Sequence, residues 1–94
     1  MKLGPQFYQK SMRGTFGDSL LELDWSVGSL LDTVSSLGQD DNTIIVFLSD
    51  NGPSLLRRER GGCAGLLRCG KGTTYEGGVR VPASIAWKRH LPGQ

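Results

Sequence analysis

The sequence predicts a single small α/β domain, and three observations carry this prediction. The chain has 94 residues, too few for two domains with separate cores. Apolar residues recur every three to four positions over residues 18–38, the pattern of an amphipathic helix. A β-branched run follows at residues 43–48 and is typical of a strand covered on both faces. A helix followed by a buried strand favours an α/β sheet.

The first element is predicted over residues 18–38 and follows an irregular lead-in at residues 1–17. Asp18 occupies the place of an N-cap acceptor, and Gly38 occupies the place of a C′ residue with positive φ. The helix is expected to bury one apolar stripe, made of Leu20, Leu23, Val27, Leu30, Leu31, Val34 and Leu37.

The predicted strand, residues 43–49, ends at a turn that carries two oxygen-bearing side chains. Gly52 and Pro53 force this turn directly after Asp50 and Asn51. The two side chains are therefore expected at the carboxyl end of a strand, the edge of an open α/β sheet where ligands bind. Their carboxylate and amide oxygens are ligands that calcium and magnesium accept. The alternative is a turn whose side chains bond to their own backbone.

Residues 50–78 are predicted to form a loop region, because seven of the 18 residues from 61 to 78 are glycines. Lys71 places an ammonium among the backbone N–H groups of this loop, and together they can hold a tetrahedral oxyanion. The segment also fits G-x-x-x-x-G-K of a phosphate loop, although Gly72 stands where Ser or Thr is needed. A phosphate-binding module and a solvated surface lysine are the alternatives. Residues 79–94 are predicted to form a strand and a loop, with the strand starting at Pro82 or lying at an edge.

The charges are divided unevenly along the chain. Residues 1–50 contain three bases and seven acids, whereas residues 51–94 contain eight bases and two acids. Such halves could place an anion beside a metal site, or they could form complementary solvated faces. The net charge of +2 gives no reason to expect a nucleic acid partner. No apolar run is long enough to span a membrane, and we expect no signal peptide at the start of the chain.

The other reactive side chains are not expected to form a catalytic centre. Cys63 and Cys69 lack the C-x-x-C spacing of a zinc or redox site. His90, the single histidine, is flanked by cations and is expected at the surface. No G-x-S-x-G motif provides a serine nucleophile.

Three segments together resemble the sulfatase family. They are Phe16 to Asp24, Asp50 to Pro53, and Arg60 to Arg80, and they follow one another in the order and spacing of the family. The third contains Gly-Lys-Gly-Thr-Thr-Tyr-Glu-Gly-Gly-Val-Arg, a hallmark of the family. The resemblance implies part of an alkaline-phosphatase-like α/β sandwich, with the activity of an arylsulfatase-type sulfuric ester hydrolase. It also implies a location in the lysosome or the secretory pathway.

The resemblance also implies roles for individual residues. Asp50 and Asn51 would bind the divalent cation, calcium or magnesium, and Lys71 would be a catalytic residue that contacts the sulfate of the substrate. The nucleophile of the family is a formylglycine made from the cysteine of C-x-P-x-R, and neither Cys63 nor Cys69 stands in that motif. By the family pattern, Cys69 would pair with a cysteine outside this sequence and would here be a free thiol.

We therefore expect residues 1–94 to form a partial sulfatase catalytic domain that supplies metal-binding and sulfate-binding residues. Without the formylglycine, little or no turnover of a sulfate ester is expected from the chain alone. The alternative is a non-catalytic product, either a decoy that pairs with a full-length sulfatase or an inert truncated product. An incomplete core with unpaired sheet edges predicts marginal folding or aggregation.

Overall fold

The computed structural model describes residues 3–91, which divide into two compact units, residues 3–45 with 86–91 and residues 46–85. The helices are α1 (Gly14–Ser36) and α2 (Glu76–Val79), and the strands are β1 (Ile45–Leu48) and β2 (Ala83–Ala86). Residues 3–91 also contain 3₁₀ turns at Pro5–Phe7 and Asp40–Asn42, and a 3₁₀ segment at Leu55–Arg60 that is kinked at Arg58. This mixture of helices and a two-stranded sheet agrees with the predicted α/β class.

Helix α1 starts four residues earlier than the apolar pattern predicts. Arg13 occupies the N-cap position, and no side chain caps the first turn. The prediction that Asp18 is the N-cap is wrong, because Asp18 lies inside the helix and its carboxylate bonds to the preceding segment. At the other end, Gly38 has the predicted positive φ, +66°, and its N–H donates to the carbonyl of Ser35 at 3.0 Å.

Asp18 anchors the segment that precedes α1. Its side chain is only 2% exposed. The carboxylate accepts three backbone N–H groups, from Gln9 at 2.9 Å, Lys10 at 3.0 Å and Ser11 at 2.7 Å. Gln9 has a φ of +56°, a conformation that few residues other than glycine adopt. Instead of the predicted irregular lead-in, the chain therefore forms a 3₁₀ turn and then a turn closed by Asp18.

We expect the stability of the chain to fall in acid because of Asp18. The backbone N–H of Ser11 does most to lower the pKa of Asp18 below the usual value of an aspartate. Burial opposes this shift, and the N–H groups of Gln9 and Lys10 add to the lowering. A carboxyl group whose pKa is lower in the folded state stabilises the fold above its unfolded pKa. That contribution is lost as the pH falls through the folded pKa, so the temperature at the midpoint of thermal unfolding will decrease in acid, below the usual pKa of an aspartate.

Two substitutions on the same helix distinguish Asp18 from the other carboxylates. Asp18→Asn will remove most of the acid sensitivity, whereas Asp24→Asn, at an exposed position, will retain it. Circular dichroism melts from neutral pH to about pH 3 provide the measurement. An Asp18→Asn variant with the acid response of the wild type would show that other groups are responsible.

Strands β1 and β2 form a two-stranded sheet. The backbone N–H of Ser49, just after β1, donates to the carbonyl of Pro82, just before β2, at 3.4 Å, which fits antiparallel pairing. Within residues 3–91, the prediction that β1 is covered on both faces is wrong, since side chains such as Phe47, 44% exposed, face solvent. A two-stranded sheet has too few neighbours to bury its strands.

The apolar stripe of α1 is also largely uncovered. The unit to which α1 belongs offers only short turns to pack against, so the prediction of a buried stripe is wrong for the described chain. Phe7 contacts the ring of Trp25, with 5.7 Å between the ring centroids. The exposed leucines of the stripe are Leu20, Leu23, Leu30, Leu31 and Leu37.

Helices in residues 3–91 do not combine the length and the apolar character that crossing a membrane requires.

Contacts near residues 40 and 88 pair a basic residue from the second half of the chain with an acidic residue from the first half. The ammonium of Lys88 lies 3.2 Å from a carboxylate oxygen of Asp40, and the indole N–H of Trp87 donates to the carbonyl of Asp41 at 2.9 Å. His90 is exposed and stacks on Trp87, with 4.2 Å between the ring centroids. These contacts agree with complementary solvated faces, whose exposed ion pairs contribute about 0.2–1 kcal/mol each.

Candidate functional site

Asp50, Asn51 and Lys71 all lie in the unit formed by residues 46–85. Asp50 and Asn51 follow β1, and Lys71 lies on the loop that precedes α2. The backbone N–H of Lys71 donates to the carbonyl of Pro53 at 2.9 Å. The turn that contains the two oxygen-bearing side chains is therefore joined to the lysine loop through the backbone.

Gly52 and Gly77 allow the two segments to approach closely. The N–H of Gly52 donates to the carbonyl of Gly78 at 2.8 Å. A Cβ atom at Gly52 would overlap the carbonyl oxygen of Gly77, and a Cβ atom at Gly77 would overlap the carbonyl oxygens of Arg68 and Cys69. Both glycines are buried. The glycines predicted to mark a loop thus include two that let backbone pack directly on backbone.

The side chains of Asp50 and Asn51 bond to each other. The amide N–H of Asn51 donates to Oδ1 of Asp50 at 2.6 Å, and the hydroxyl of Ser49 donates to the backbone carbonyl of Asn51 at 2.8 Å. Asp50 is exposed and Asn51 is half-buried. The first bond uses one carboxylate oxygen, so Oδ2 of Asp50 and Oδ1 of Asn51 are the oxygen atoms that an approaching cation would meet.

These two residues fit a hard divalent cation in donor chemistry but fall short in number. Calcium takes about six to eight oxygen ligands, and Asp50 and Asn51 would supply two. Among the side chains that the structure describes, no group of three or more His, Cys, Asp or Glu residues comes together to add to them. The remaining ligands would have to be water molecules or groups from outside these residues.

Lys71 lies on a tight turn with its side chain exposed. The N–H and the hydroxyl of Thr73 donate to the carbonyl of Gly70 at 3.2 and 2.8 Å, which closes the turn around Lys71. No carboxylate among the described side chains lies within 4.0 Å of the Lys71 ammonium. The ammonium is therefore available for an anion.

The structure gives no support to two other chemistries for this loop. A phosphate loop opens a helix directly after its lysine, whereas α2 begins five residues after Lys71 and has only four residues. Cys63 and Cys69 are both free thiols, and the Sγ atom of Cys63 accepts the N–H of Gly65 at 3.2 Å. The loop therefore offers neither a phosphate-binding helix nor a disulfide.

One contact on the same loop was not predicted from the sequence. The guanidinium carbon of Arg68 lies 3.9 Å from the centroid of the Tyr75 ring, a cation–π contact. Arg68 precedes Lys71 by three residues and Tyr75 follows it by four, so the contact spans the turn. An arginine and an aromatic residue on either side of a glycine-rich turn are the signal that could have suggested it.

Known proteins resemble this chain over almost its whole length. The profile of the sulfatase family, described as Sulfatase, matches residues 3–94. The chain belongs to the sulfatase family. Arylsulfatase A of Homo sapiens is 56% identical to it over 91 residues, which cover 96% of this chain and 18% of that protein. N-acetylgalactosamine-6-sulfatase of Rattus norvegicus is 45% identical, over 92% of this chain and 17% of the relative.

A third relative widens the range of sulfatases that share these residues. Steryl-sulfatase of Mus musculus is 44% identical over 96% of this chain and 15% of its own length. This sulfatase chain thus spans less than a fifth of the length of the relatives it matches. The resemblance to the family predicted from the three motif segments is confirmed.

The three sulfatase segments have different places in the structure. The second and third, Asp50 to Pro53 and Arg60 to Arg80, lie in the unit of residues 46–85, where the backbone bonds described above join them. The first, Phe16 to Asp24, lies in α1 and contributes the buried carboxylate of Asp18 to the other unit. The first segment therefore stabilises the turn before α1, whereas the other two contain the residues of the candidate site.

Proposed function

We propose that the chain supplies the cation-binding and sulfate-binding residues of an arylsulfatase-type sulfuric ester hydrolase. Asp50 and Asn51 bind calcium or magnesium, and Lys71 is the catalytic residue that contacts the sulfate group. The observation that carries the proposal is the 2.9 Å bond from the N–H of Lys71 to the carbonyl of Pro53. It supports a shared site because it holds the lysine loop beside the turn with the two oxygen ligands.

The chemistry of these residues suits a sulfate ester. A bound divalent cation polarises an oxygen of the ester and offsets its negative charge. Lys71 contributes electrostatically, since an ammonium about 4 Å from an anionic oxygen is worth about 4 kcal/mol at an effective dielectric constant near 20. The part of this interaction gained only in the transition state accelerates hydrolysis. Asn51, through its bond to Oδ1 of Asp50, orients the carboxylate of Asp50.

The proposed hydrolysis needs a nucleophile that these 94 residues do not contain. Neither cysteine stands in the C-x-P-x-R motif from which sulfatases make formylglycine. We therefore propose that the chain alone binds a sulfate ester without cleaving it. An assay of the purified chain on an aryl sulfate with calcium tests this, and sustained turnover would reveal a different nucleophile.

We also propose the fold and the location that the family resemblance implies. In an alkaline-phosphatase-like sandwich, further layers would cover the exposed faces of α1 and β1, and the 56% identity to arylsulfatase A supports this placement. A crystal structure in which these faces contact only solvent would argue against it. The proposed location is the lysosome or the secretory pathway, and imaging of the tagged protein beside a lysosomal marker tests that location.

A role as a non-catalytic partner of a full-length sulfatase stays a prediction. Exposed apolar side chains on β1, Phe47 among them, are consistent with pairing. Co-purification with full-length arylsulfatase A would support the decoy role. A chain that stays monomeric in the presence of excess arylsulfatase A would contradict it.

We expect calcium to stabilise the chain through Asp50. A site with few protein ligands has a Kd near 1 mM at best, so about 10 mM calcium would raise the free energy of unfolding by at most about 1.4 kcal/mol. Asp50→Asn removes the only charge of the ligand pair and will abolish most of this increase. Chemical denaturation with and without calcium provides the measurement.

A matched variant controls for the general loss of a negative charge. Asp32 is an exposed carboxylate on α1, and Asp32→Asn will keep the calcium response of the wild type. Magnesium in place of calcium compares the two proposed cations. If Asp50→Asn responds to calcium as the wild type does, the cation binds elsewhere and the assignment is wrong.

A further inference from the structure

One contact beside the candidate site involves residues to which no role has been given, the stack of Arg68 on Tyr75. We infer that Arg68 and Tyr75 form a positioning pair, which holds the loop so that the ammonium of Lys71 meets an incoming sulfate group. This inference rests on the proposed function of Lys71. The pair acts through Lys71 and does not itself touch the substrate.

The stack closes a short loop that contains Lys71. The guanidinium carbon of Arg68 lies 3.9 Å from the centroid of the Tyr75 ring. Only six residues separate the two partners, and Lys71 is one of them. Both side chains are exposed, Tyr75 by 45%, so the contact is made at the surface where Lys71 also emerges. Loss of the ring would therefore release the loop locally without opening a buried cavity.

Backbone bonds fix both partners of the stack to the start of α2. The N–H of Gly77 donates to the carbonyl of Arg68 at 2.8 Å, and the N–H of Gly78 donates to the carbonyl of Tyr75 at 2.7 Å. The two ends of the loop are thus held by main-chain contacts. Between these ends, the bond from the N–H of Lys71 to Pro53 and the turn closed by Thr73 also hold the backbone, and the stack adds a side-chain contact across the loop.

The backbone on either side of Lys71 needs such restriction. Cys69 has a φ of +61° and Gly72 a φ of +89°, both in the left-handed region. Glycine adopts this region freely, but a cysteine does so only where surrounding contacts maintain it. The stack spans both positions, so it helps to maintain the conformation that presents Lys71.

The stack also determines where the charge of Arg68 is placed. The face of an aromatic ring attracts a cation, and no carboxylate among the described side chains lies within 4.0 Å of Arg68. With its guanidinium held over Tyr75, Arg68 does not move freely toward an anion. Lys71 is then the cation that the loop offers to sulfate.

Binding of inorganic sulfate to the chain, followed by the NMR signals of the Lys71 side chain, tests the inference. Tyr75→Leu removes the ring and keeps Arg68, and we expect it to weaken sulfate binding about two- to fivefold, the range expected for an exposed cation–π contact. Tyr75→Phe keeps the ring and will bind as the wild type does. Arg80→Gln removes another exposed arginine, paired with Glu76 at 3.7 Å, and will leave the affinity unchanged.

The outcomes separate this inference from the proposed function. If sulfate does not shift the Lys71 signals of the wild type, the proposed function is wrong and the positioning pair is wrong with it. If the wild type binds at Lys71 and Tyr75→Leu binds equally well, only the positioning pair is overturned. If Tyr75→Phe binds sulfate as weakly as Tyr75→Leu does, the hydroxyl of Tyr75 and not the ring stack is responsible, and the positioning pair is also overturned.

A second variant tests the inference if the Tyr75→Leu chain fails to fold. Such a failure would be seen as loss of the dispersed amide signal of Gly78. Arg68→Lys keeps the positive charge but loses the flat guanidinium that lies over the ring. If Arg68→Lys binds sulfate more weakly but calcium still stabilises it through Asp50, the result supports the positioning pair. Binding equal to that of the wild type overturns it.

Discussion

Replacing Gly52 with alanine will destabilise the unit of residues 46–85 by about 1–3 kcal/mol. The new Cβ atom would overlap the carbonyl oxygen of Gly77, and the 2.8 Å bond from the N–H of residue 52 to Gly78 would lengthen or break. Both sides of this contact are backbone, so no change of rotamer relieves the overlap. The turn with Asp50 would move away from the lysine loop, and sulfate binding would fall together with stability.

Gly28→Ala is the matched control for this substitution. Gly28 lies inside α1, and no atom would meet its Cβ within 4 Å. Alanine at this helical position will stabilise the chain by about 0.5–1 kcal/mol. Hydrogen exchange of the Lys71 amide, whose bond to Pro53 joins the two segments, reports on the Gly52 variant. Unchanged protection of that amide would mean that the close approach is not required.

Lys71→Ala will weaken the binding of inorganic sulfate about tenfold or more, with little change in stability. Hydrogen bonds to charged groups contribute about 1.5–3 kcal/mol, which corresponds to roughly 10- to 150-fold in affinity. The Lys71 side chain is exposed and has no carboxylate partner among the described side chains, so truncation leaves neither a cavity nor an unpaired buried charge. The loss therefore appears in binding and not in unfolding.

The sulfate measurement needs a control for net charge and a test of geometry. Lys10→Ala removes an exposed lysine but keeps its backbone N–H bond to Asp18, and it will bind sulfate as the wild type does. Lys71→Arg keeps the charge and changes the donor geometry, so intermediate affinity is expected. Calorimetric titration at low salt measures all three variants. If Lys71→Ala binds sulfate as tightly as the wild type does, the sulfate binds at other cationic side chains.

Features determined by neighbouring residues were the ones that the sequence predicted best. The three-to-four spacing of apolar residues predicted a helix where α1 lies, and Gly38 has the positive φ expected after its end. Strand β2 begins at Ala83, directly after Pro82, whose missing N–H was expected to mark a strand start. In each case the physical cause lies within one or two turns of the chain.

Burial was predicted poorly, because it depends on which surfaces meet. An apolar stripe on a helix and a β-branched strand show that a covering layer is favourable, but not that these residues provide one. Asp18 illustrates the same limit for polar groups. A short carboxylate before an apolar run can accept N–H groups from the first helical turn or from the preceding segment, and here it bonds Gln9, Lys10 and Ser11.

The candidate site was predictable in its residue types and less so in its arrangement. Hard oxygen donors after a strand and a lysine among glycines indicated Asp50, Asn51 and Lys71, and their roles stay predictions. The bond between Lys71 and Pro53 joins segments 18 residues apart in sequence, and nothing in either segment alone specifies it. The same holds for the stack of Arg68 on Tyr75, which depends on the path of the loop.

The hydrogen bond from the indole of Trp87 to the carbonyl of Asp41 joins Trp87 to other residues of its own unit. Trp25 and Trp87 are the only tryptophans, and both belong to the unit of residues 3–45 and 86–91. The other unit contains a single tyrosine, Tyr75, and no tryptophan. Tryptophan fluorescence will therefore report unfolding of the first unit and will not change when the second unit unfolds. A tryptophan introduced among residues 46–85 would be needed to follow the second unit by intrinsic fluorescence.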